Sequence, residues 1–176
     1  MIEVVKAGLY TTVQDMGRMR YRNMGVPLSG AMDTFAAIKA NQLIGNPANT
    51  ALLEITLLGP TLRFFETTQL VVTGAPFIIY LNASEIEMNK VVSVAPDDVV
   101  TIKRAKSGMR GYVAISGGIQ TKKVLGSRSF YPGITASAVV KTGDFLPIVP
   151  FSKPLIDPAI SEEKQPITTL TVYKGP

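Results

Sequence analysis

The chain contains no cysteine and no histidine. The first absence removes disulfides, thiolate nucleophiles and cysteine-ligated zinc or iron–sulfur centres together. The second removes the commonest general base and metal ligand near neutral pH. Ser-His-Asp, Cys-His and HExxH chemistry are therefore excluded within these 176 residues. Chemistry here falls to carboxylates, Lys, Arg, Tyr, hydroxyls or backbone N–H groups, and a hard cation would need oxygen ligands or would arrive with a nucleotide. Long apolar runs are also missing. None approaches the roughly 18–20 residues that span a bilayer, and the N-terminus MIEVVK lacks the charged-then-apolar order of a secretory signal. The expectation is a cytoplasmic protein with no membrane contact. Neither GxxxxGK[ST] nor GxGxxG occurs, so no motif claims a nucleotide.

Hydrophobic residues make up 46% of the chain and charged residues 18%, which describes a globular protein with a substantial core. The net charge is +5, but the basic residues are scattered; the densest group is Arg18, Arg20 and Arg22 around Tyr21. Nothing resembles a basic recognition helix or an RNA-binding aromatic pair, so nucleic acid is not an expected partner. An acidic small molecule and an acidic partner surface both fit this charge.

Short β-branched segments separated by turn residues dominate. Strands are expected at 2–6, 11–14, 52–57, 61–64, 69–73, 77–81, 85–88, 91–94, 99–104 and 111–115. Their density favours a closed or strongly curled β-structure over a βαβ array. The continuously apolar run FIIYL at 77–81 reads as a central strand. One main helix is expected over Asp33 to Ile44, with Met32, Phe35, Ala36, Leu43 and Ile44 on its apolar face and Gly45-Asn46-Pro47 as its stop. Residues 151–166, rich in proline, read as a linker after a domain over 1–150. Residues 167–176 read as the start of a second β-rich half, so the chain looks truncated.

Three constellations are candidates for a site. Gln14 and Asp15 end a strand before Gly17 and Arg18, a grouping that offers an amide, a carboxylate and a guanidinium at one rim. The plainer reading is a turn with a surface ion pair. Ser29 and Gly30 precede the helix, where backbone N–H groups can bind an anion or where the residues simply cap. Gly117 and Gly118 follow a strand, with Arg128 between Ser127 and Ser129 further on; the glycines allow close approach of a ligand, or mark a bend. Glu54 lies between Leu53 and Ile55, either buried with a raised pKa or on the solvent face.

The stretches GLYTTVQDMGR, GVPLSGAMDTFAAIKANQLIGN, ALLEITLLGPTLRF, VVTGA, and RGYVAISGGI with VLGSRS occur in this order. Together they resemble the N-terminal half of the 5-oxoprolinase C-type subunit family, also called KipA-like, allophanate hydrolase subunit 2-like or biotin-dependent carboxyltransferase-like. The resemblance covers 2–147. It implies a mainly β fold, a cyclophilin-like β-barrel with one main α-helix and a short additional helical element. It further implies two partners, the KipI-like protein that forms the B-type subunit of 5-oxoprolinase and the separate A-type subunit. With them the chain would act on a small-molecule amide, opening 5-oxo-L-proline to glutamate. ATP with magnesium would belong to the assembled complex.

The same resemblance admits a non-catalytic KipI antagonist that relieves a histidine-kinase inhibitor, or a carboxyltransferase fed by biotin. The chain lacks Met-Lys-Met, so biotin is not expected within it. On the family reading Asp15, Arg18 and Asp33 are the catalytic candidates. Gln14, Ser29, Gly30, Gly117, Gly118 and Arg128 are the substrate-binding ones, and no metal is assigned.

Overall fold

The computed structural model describes residues 1–136 and 139–149; the linker and second-half expectations at 151–176 lie outside the described residues. Eleven strands follow in chain order: β1 (Ile2–Lys6), β2 (Tyr10–Gln14), β3 (Leu52–Thr56), β4 (Thr61–Phe64), β5 (Thr68–Gly74), β6 (Phe77–Leu81), β7 (Ser84–Ile86), β8 (Val92–Val94), β9 (Val99–Ala105), β10 (Arg110–Ile115) and β11 (Phe145–Leu146). A 3-10 turn spans Arg22–Met24, and the helix α1 spans Thr34–Leu43. Each expected strand forms, with ends shifted by a residue or two. β11 has no counterpart among the expected strands, because two residues carry no pattern; β1 supplies its register through Ile2↔Leu146 and Glu3↔Phe145.

The strands form two antiparallel sheets, ordered β11-β1-β4-β9-β6-β7 and β2-β3-β10-β5-β8. A mainly β fold with one main helix and one short helical turn is therefore what forms. The barrel needs correction: among the described residues the sheets keep separate edges and do not close into one. They stack instead, with Ile2, Val4, Leu62, Phe64 and Ile102 of the first sheet meeting Leu53, Ile55, Val72, Val113 and Ile115 of the second. Alternation along each strand sends these side chains to a common interior.

The helix α1 covers the other face of the second sheet, against Leu52, Val71, Tyr112 and Ala114. Coverage on both faces explains why β3, β5 and β10 are buried nearly throughout, whereas β6, next to edge strand β7, alternates between buried and half-buried positions. The run at 77–81 does form a strand inside its sheet, between β9 and β7, but its second face is only half-buried because nothing equivalent to α1 covers it.

The helix's buried stripe also differs from expectation. Ala36, Ala37, Ala40, Asn41 and Ile44 face the sheet, while Met32 and Phe35 are exposed. Small residues let the helix axis come close enough for the Thr73 hydroxyl to donate to the Ala36 carbonyl at 2.7 Å. Alanine contributes little hydropathy contrast, so the larger exposed side chains misplace the face. The helix ends as foreseen: Gly45 N–H donates to Gln42 and Asn46 N–H to Asn41, the paired bonds of a Schellman stop.

No helix among the described residues is long and apolar enough to cross a membrane.

Candidate functional site

β2 leaves the sheet at Gln14, and the four residues after it build a buried polar knot. The Asp15 carboxylate, 8% exposed, accepts from the hydroxyls of Ser127 and Ser129 at 2.6 Å each and from Gly17 N–H at 2.8 Å. Its second oxygen accepts from Arg128 N–H at 2.7 Å. Asp15 N–H in turn donates to Ser129 Oγ at 2.8 Å. Burial by itself would raise this carboxyl's pKa, but the hydrogen bonds from Ser127, Ser129, Arg128 N–H and Gly17 N–H outweigh it and hold the group below its ordinary value. The plainer expectation of a surface ion pair is overturned: no Asp15–Arg18 salt bridge forms, and both side chains are inside.

Arg18 is 1% exposed. Its Nε donates to Val124 O at 3.1 Å, while its two terminal nitrogens donate to Ser29 Oγ and Ser129 O. All three guanidinium nitrogens are thus engaged by protein oxygens, and the fork ties three loops together instead of facing solvent. Burial lowers its pKa, and the nearby Asp15 charge opposes that shift.

The segment from Ser29 to Asp33 is latched at successive residues. Ser29, at φ 50°, receives Arg18; Ala31 N–H donates to Asp15 O at 3.0 Å; Met32 N–H donates to Glu54 Oε2 at 2.7 Å; Asp33 N–H donates to the Tyr112 hydroxyl at 2.7 Å. Gly17 permits the approach: a Cβ there would lie 2.4 Å from Leu28 O. The capping residue is Asp33, whose side chain accepts from Ala36 N–H at 3.0 Å; Ser29 and Gly30 do not cap. With these N–H groups engaged, the helix entrance is a braced corner.

Glu54 is buried, not solvent-facing. It also accepts from the Tyr112 hydroxyl at 2.9 Å and lies 3.4 Å from Arg110 Nη1. Burial first, then the Glu54 charge and hydrogen bond and the Asp33 charge, push the Tyr112 phenol up, while the Asp33 N–H bond opposes them. Gln14 is buried on the same edge; its amide nitrogen donates to Thr12 Oγ1 at 3.0 Å, and its Oε1 has no hydrogen-bond partner among the described residues.

Beside this knot lies a polar cleft of about 250 Å³, lined by Asp15, Asn49, Thr50, Gly117, Gln120, Lys123 and Arg128. Gly117 N–H is held by Asn46 Oδ1 at 2.9 Å, and a Cβ on Gly118 would lie 2.1 Å from the Thr50 side chain. The glycines let two loops touch and form one wall. Arg128 Nε donates to Ile119 O at 2.9 Å and one terminal nitrogen donates to Gln120 Oε1, which leaves Nη1 without a partner among the described residues. A second, mainly apolar cavity of about 100 Å³ under Val13, Phe130, Val140 and Leu146 lies on the other side of Arg128.

The structure therefore joins Asp15, Arg18, Ser29 and the Arg128 backbone in one network and places Gly117 and Arg128 on the adjoining cleft, with Gly118 packed behind its wall against Thr50. Asp33 sits apart, at the helix cap. Ser127 and Ser129 as carboxylate ligands, and Gln120 and Lys123 as cleft residues, were not singled out from the sequence. A separation of more than a hundred positions between Asp15 and its serines leaves no local signal. A guanidinium fixed by its other nitrogens, with an ammonium nearby, is suited to recognising a small anion.

The family model for the carboxyltransferase domain, subdomain A and B, matches residues 24–176. Urea amidolyase from Lachancea kluyveri is 40% identical over 149 residues, covering 82% of this chain and 8% of that protein. The C-type subunit of 5-oxoprolinase from Escherichia coli is 38% identical over 152 residues, covering 84% of this chain and 49% of that protein. The crystal structure of K. lactis urea amidolyase matches with a TM-score of 0.80 at 37% identity, over 84% of this chain and 9% of that one. The chain thus spans about half the length of the 5-oxoprolinase relative and under a tenth of the amidolyases.

Proposed function

Because this chain belongs to the carboxyltransferase domain family, subdomains A and B, we propose that it serves as part of the C-type subunit of a 5-oxoprolinase. In this reading it acts with the KipI-like B-type partner and the A-type partner in the ATP-dependent opening of 5-oxo-L-proline. The observation that supports this reading is the cleft at Arg128: 5-oxoproline is a small ring bearing a carboxylate, and a guanidinium whose Nη1 has no partner among the described residues, with Lys123 on the same cleft, suits that anion. The amide carbonyl of a five-membered lactam is a poor electrophile, so ring opening needs activation and stabilisation of negative charge.

Arg128 holds the substrate's carboxylate in this scheme. Asp15, Ser127, Ser129 and Arg18 are positioning residues that fix the loop carrying Arg128. Gly117 and Gly118 shape the wall, and Asp33 braces the helix that roofs the sheet. The described residues contain no group of three or more acidic side chains able to hold a metal ion. On this reading magnesium-ATP belongs to the assembled complex.

A second reading, carboxyl transfer from biotin on another protein, is favoured by the 40% identity to urea amidolyase. Urea is neutral, so in that case Arg128 would meet the carboxyl donor instead of the acceptor. The two readings separate in the assembled enzyme. Arg128→Met is expected to raise KM for 5-oxoproline about tenfold or more in 5-oxoproline-dependent ATP hydrolysis, with Arg128→Lys intermediate. An unchanged KM in a folded Arg128→Met enzyme, or biotin-dependent incorporation of labelled bicarbonate without 5-oxoproline turnover, would overturn the first reading.

A further inference from the structure

At the end of the second sheet remote from the cleft, β2 and β10 begin and β3 ends, with Tyr10 and Arg110 both paired to Thr56. Leu58 N–H donates back to Thr56 O at 2.7 Å, closing a three-residue turn about Leu57, which sits at φ 59°. A β-strand rarely ends this way with a leucine at its corner, because the side chain crowds its own backbone at positive φ. The turn is held from outside: Leu57 N–H donates to Met109 O and Ala105 N–H to Leu57 O, both at 2.8 Å, and Leu9 N–H donates to Leu58 O at 3.0 Å. These turns leave large apolar side chains in solvent at one end of the sheet, with Leu9 62%, Met109 55%, Leu58 42% and Tyr10 39% exposed.

Cations surround these side chains. Arg104 bridges to Leu58, Lys103 O accepts from Gly59 N–H, Lys106 follows on the same hairpin, and Lys6 ends the neighbouring β1. All four are exposed, and none has an ion-pair partner among the described residues. The sequence has no Asp or Glu from Val99 to Gly143, and Glu54 is buried against Arg110.

We infer that this end of the sheet is a docking surface for an acidic segment of a partner protein, one carrying apolar side chains between its carboxylates. An apolar centre containing a tyrosine, within a rim of one charge sign, is the anatomy of a protein interface whose partner carries the opposite sign. Four apolar side chains on fixed turns are too few to anchor a bilayer. Duplex nucleic acid would leave Leu9, Leu58 and Met109 without a counterpart. The surface lies at the far end of the strands from Arg128, so the inference stands independently of the proposed reaction.

The probe is a labelled peptide of alternating Glu and Leu, followed by fluorescence anisotropy at low and high salt. Its Lys/Leu counterpart, phosphatidylserine vesicles and duplex DNA serve as competitors. Wild-type protein is expected to bind the Glu/Leu peptide, with affinity falling as salt rises. Lys103→Glu with Arg104→Glu, and separately Leu58→Ser, should each weaken binding about tenfold, while Lys39→Glu on the helix should not. Matched thermal melts confirm that the variants are folded, and the charge-reversal pair tests the idea even if Leu58→Ser is unstable. Absence of peptide binding, equal binding by the variants, preference for vesicles or DNA, or a self-association that Leu58→Ser abolishes would each overturn it.

Discussion

Replacing Asp15 with asparagine removes one charge and turns one acceptor oxygen into a donor, in a pocket where four donors converge. The amide can point its oxygen at Arg128 N–H or at the group formed by Gly17 N–H and the two serines, but not at both. In either pose at least one buried backbone N–H faces an NH₂ group. Hydrogen bonds to a charged acceptor contribute roughly 1.5–3 kcal/mol each, and an orphaned buried donor costs about 1–3 kcal/mol. The serine hydroxyls can rotate to recover part of this, so a net loss of about 2–4 kcal/mol is expected. With a urea m-value of about 2 kcal/mol/M, the unfolding midpoint should fall by about 1–2 M.

The pH dependence adds a second readout. Asp15 in the folded protein lies below its ordinary value of 3.8, so its stabilisation is fully present above that value. It is lost as pH falls through the depressed folded value. The difference in urea midpoint between wild type and Asp15→Asn should therefore hold steady from about pH 7 to about pH 5 and begin to narrow as pH falls below about 4. A midpoint change under about 0.3 M at neutral pH, or a difference that persists undiminished in acid, would refute the account of the knot.

Gly17→Ala should destabilise the fold by about 2–4 kcal/mol in the same assay, because φ is 88° and the added Cβ would meet Leu28 O at 2.4 Å; a neutral effect would mean that the two loops separate readily. Tyr112→Phe should cost about 1–3 kcal/mol by leaving Asp33 N–H without its acceptor. In an alkaline titration followed by phenolate absorbance, wild type should keep the Tyr112 phenol protonated well above its ordinary value of 10.0, a signal the variant should lack. An identical titration of the two proteins would remove the assignment.

The strands were legible because alternation and turn residues are local. Phe77–Leu81 shows the limit: its run of apolar residues gives a strand, but whether both faces are buried depends on where α1 lies. The helix stop at Gly45 and Asn46 was readable from the same short-range chemistry. Its buried face was not, since a stripe of alanines becomes a contact surface only when a sheet comes close enough to touch it. In the site, Gln14, Asp15 and Arg18 stood out by residue type, yet type does not say whether a carboxylate faces solvent or is saturated by donors.

The sequence by itself determined a mainly β chain without thiol, imidazole or P-loop chemistry, and a set of charged and glycine-rich turns from which any site had to be made. Only the tertiary structure decided which of those charges is turned inward. Asp15 and Arg18 are neighbours along the chain, but their partners Ser127, Ser129 and Val124 come from more than a hundred residues away. The sheet stacking that brings those loops to one edge engages the polar atoms of both residues. Arg128, which lines the cleft, is held through its other nitrogens and has one without a partner among the described residues.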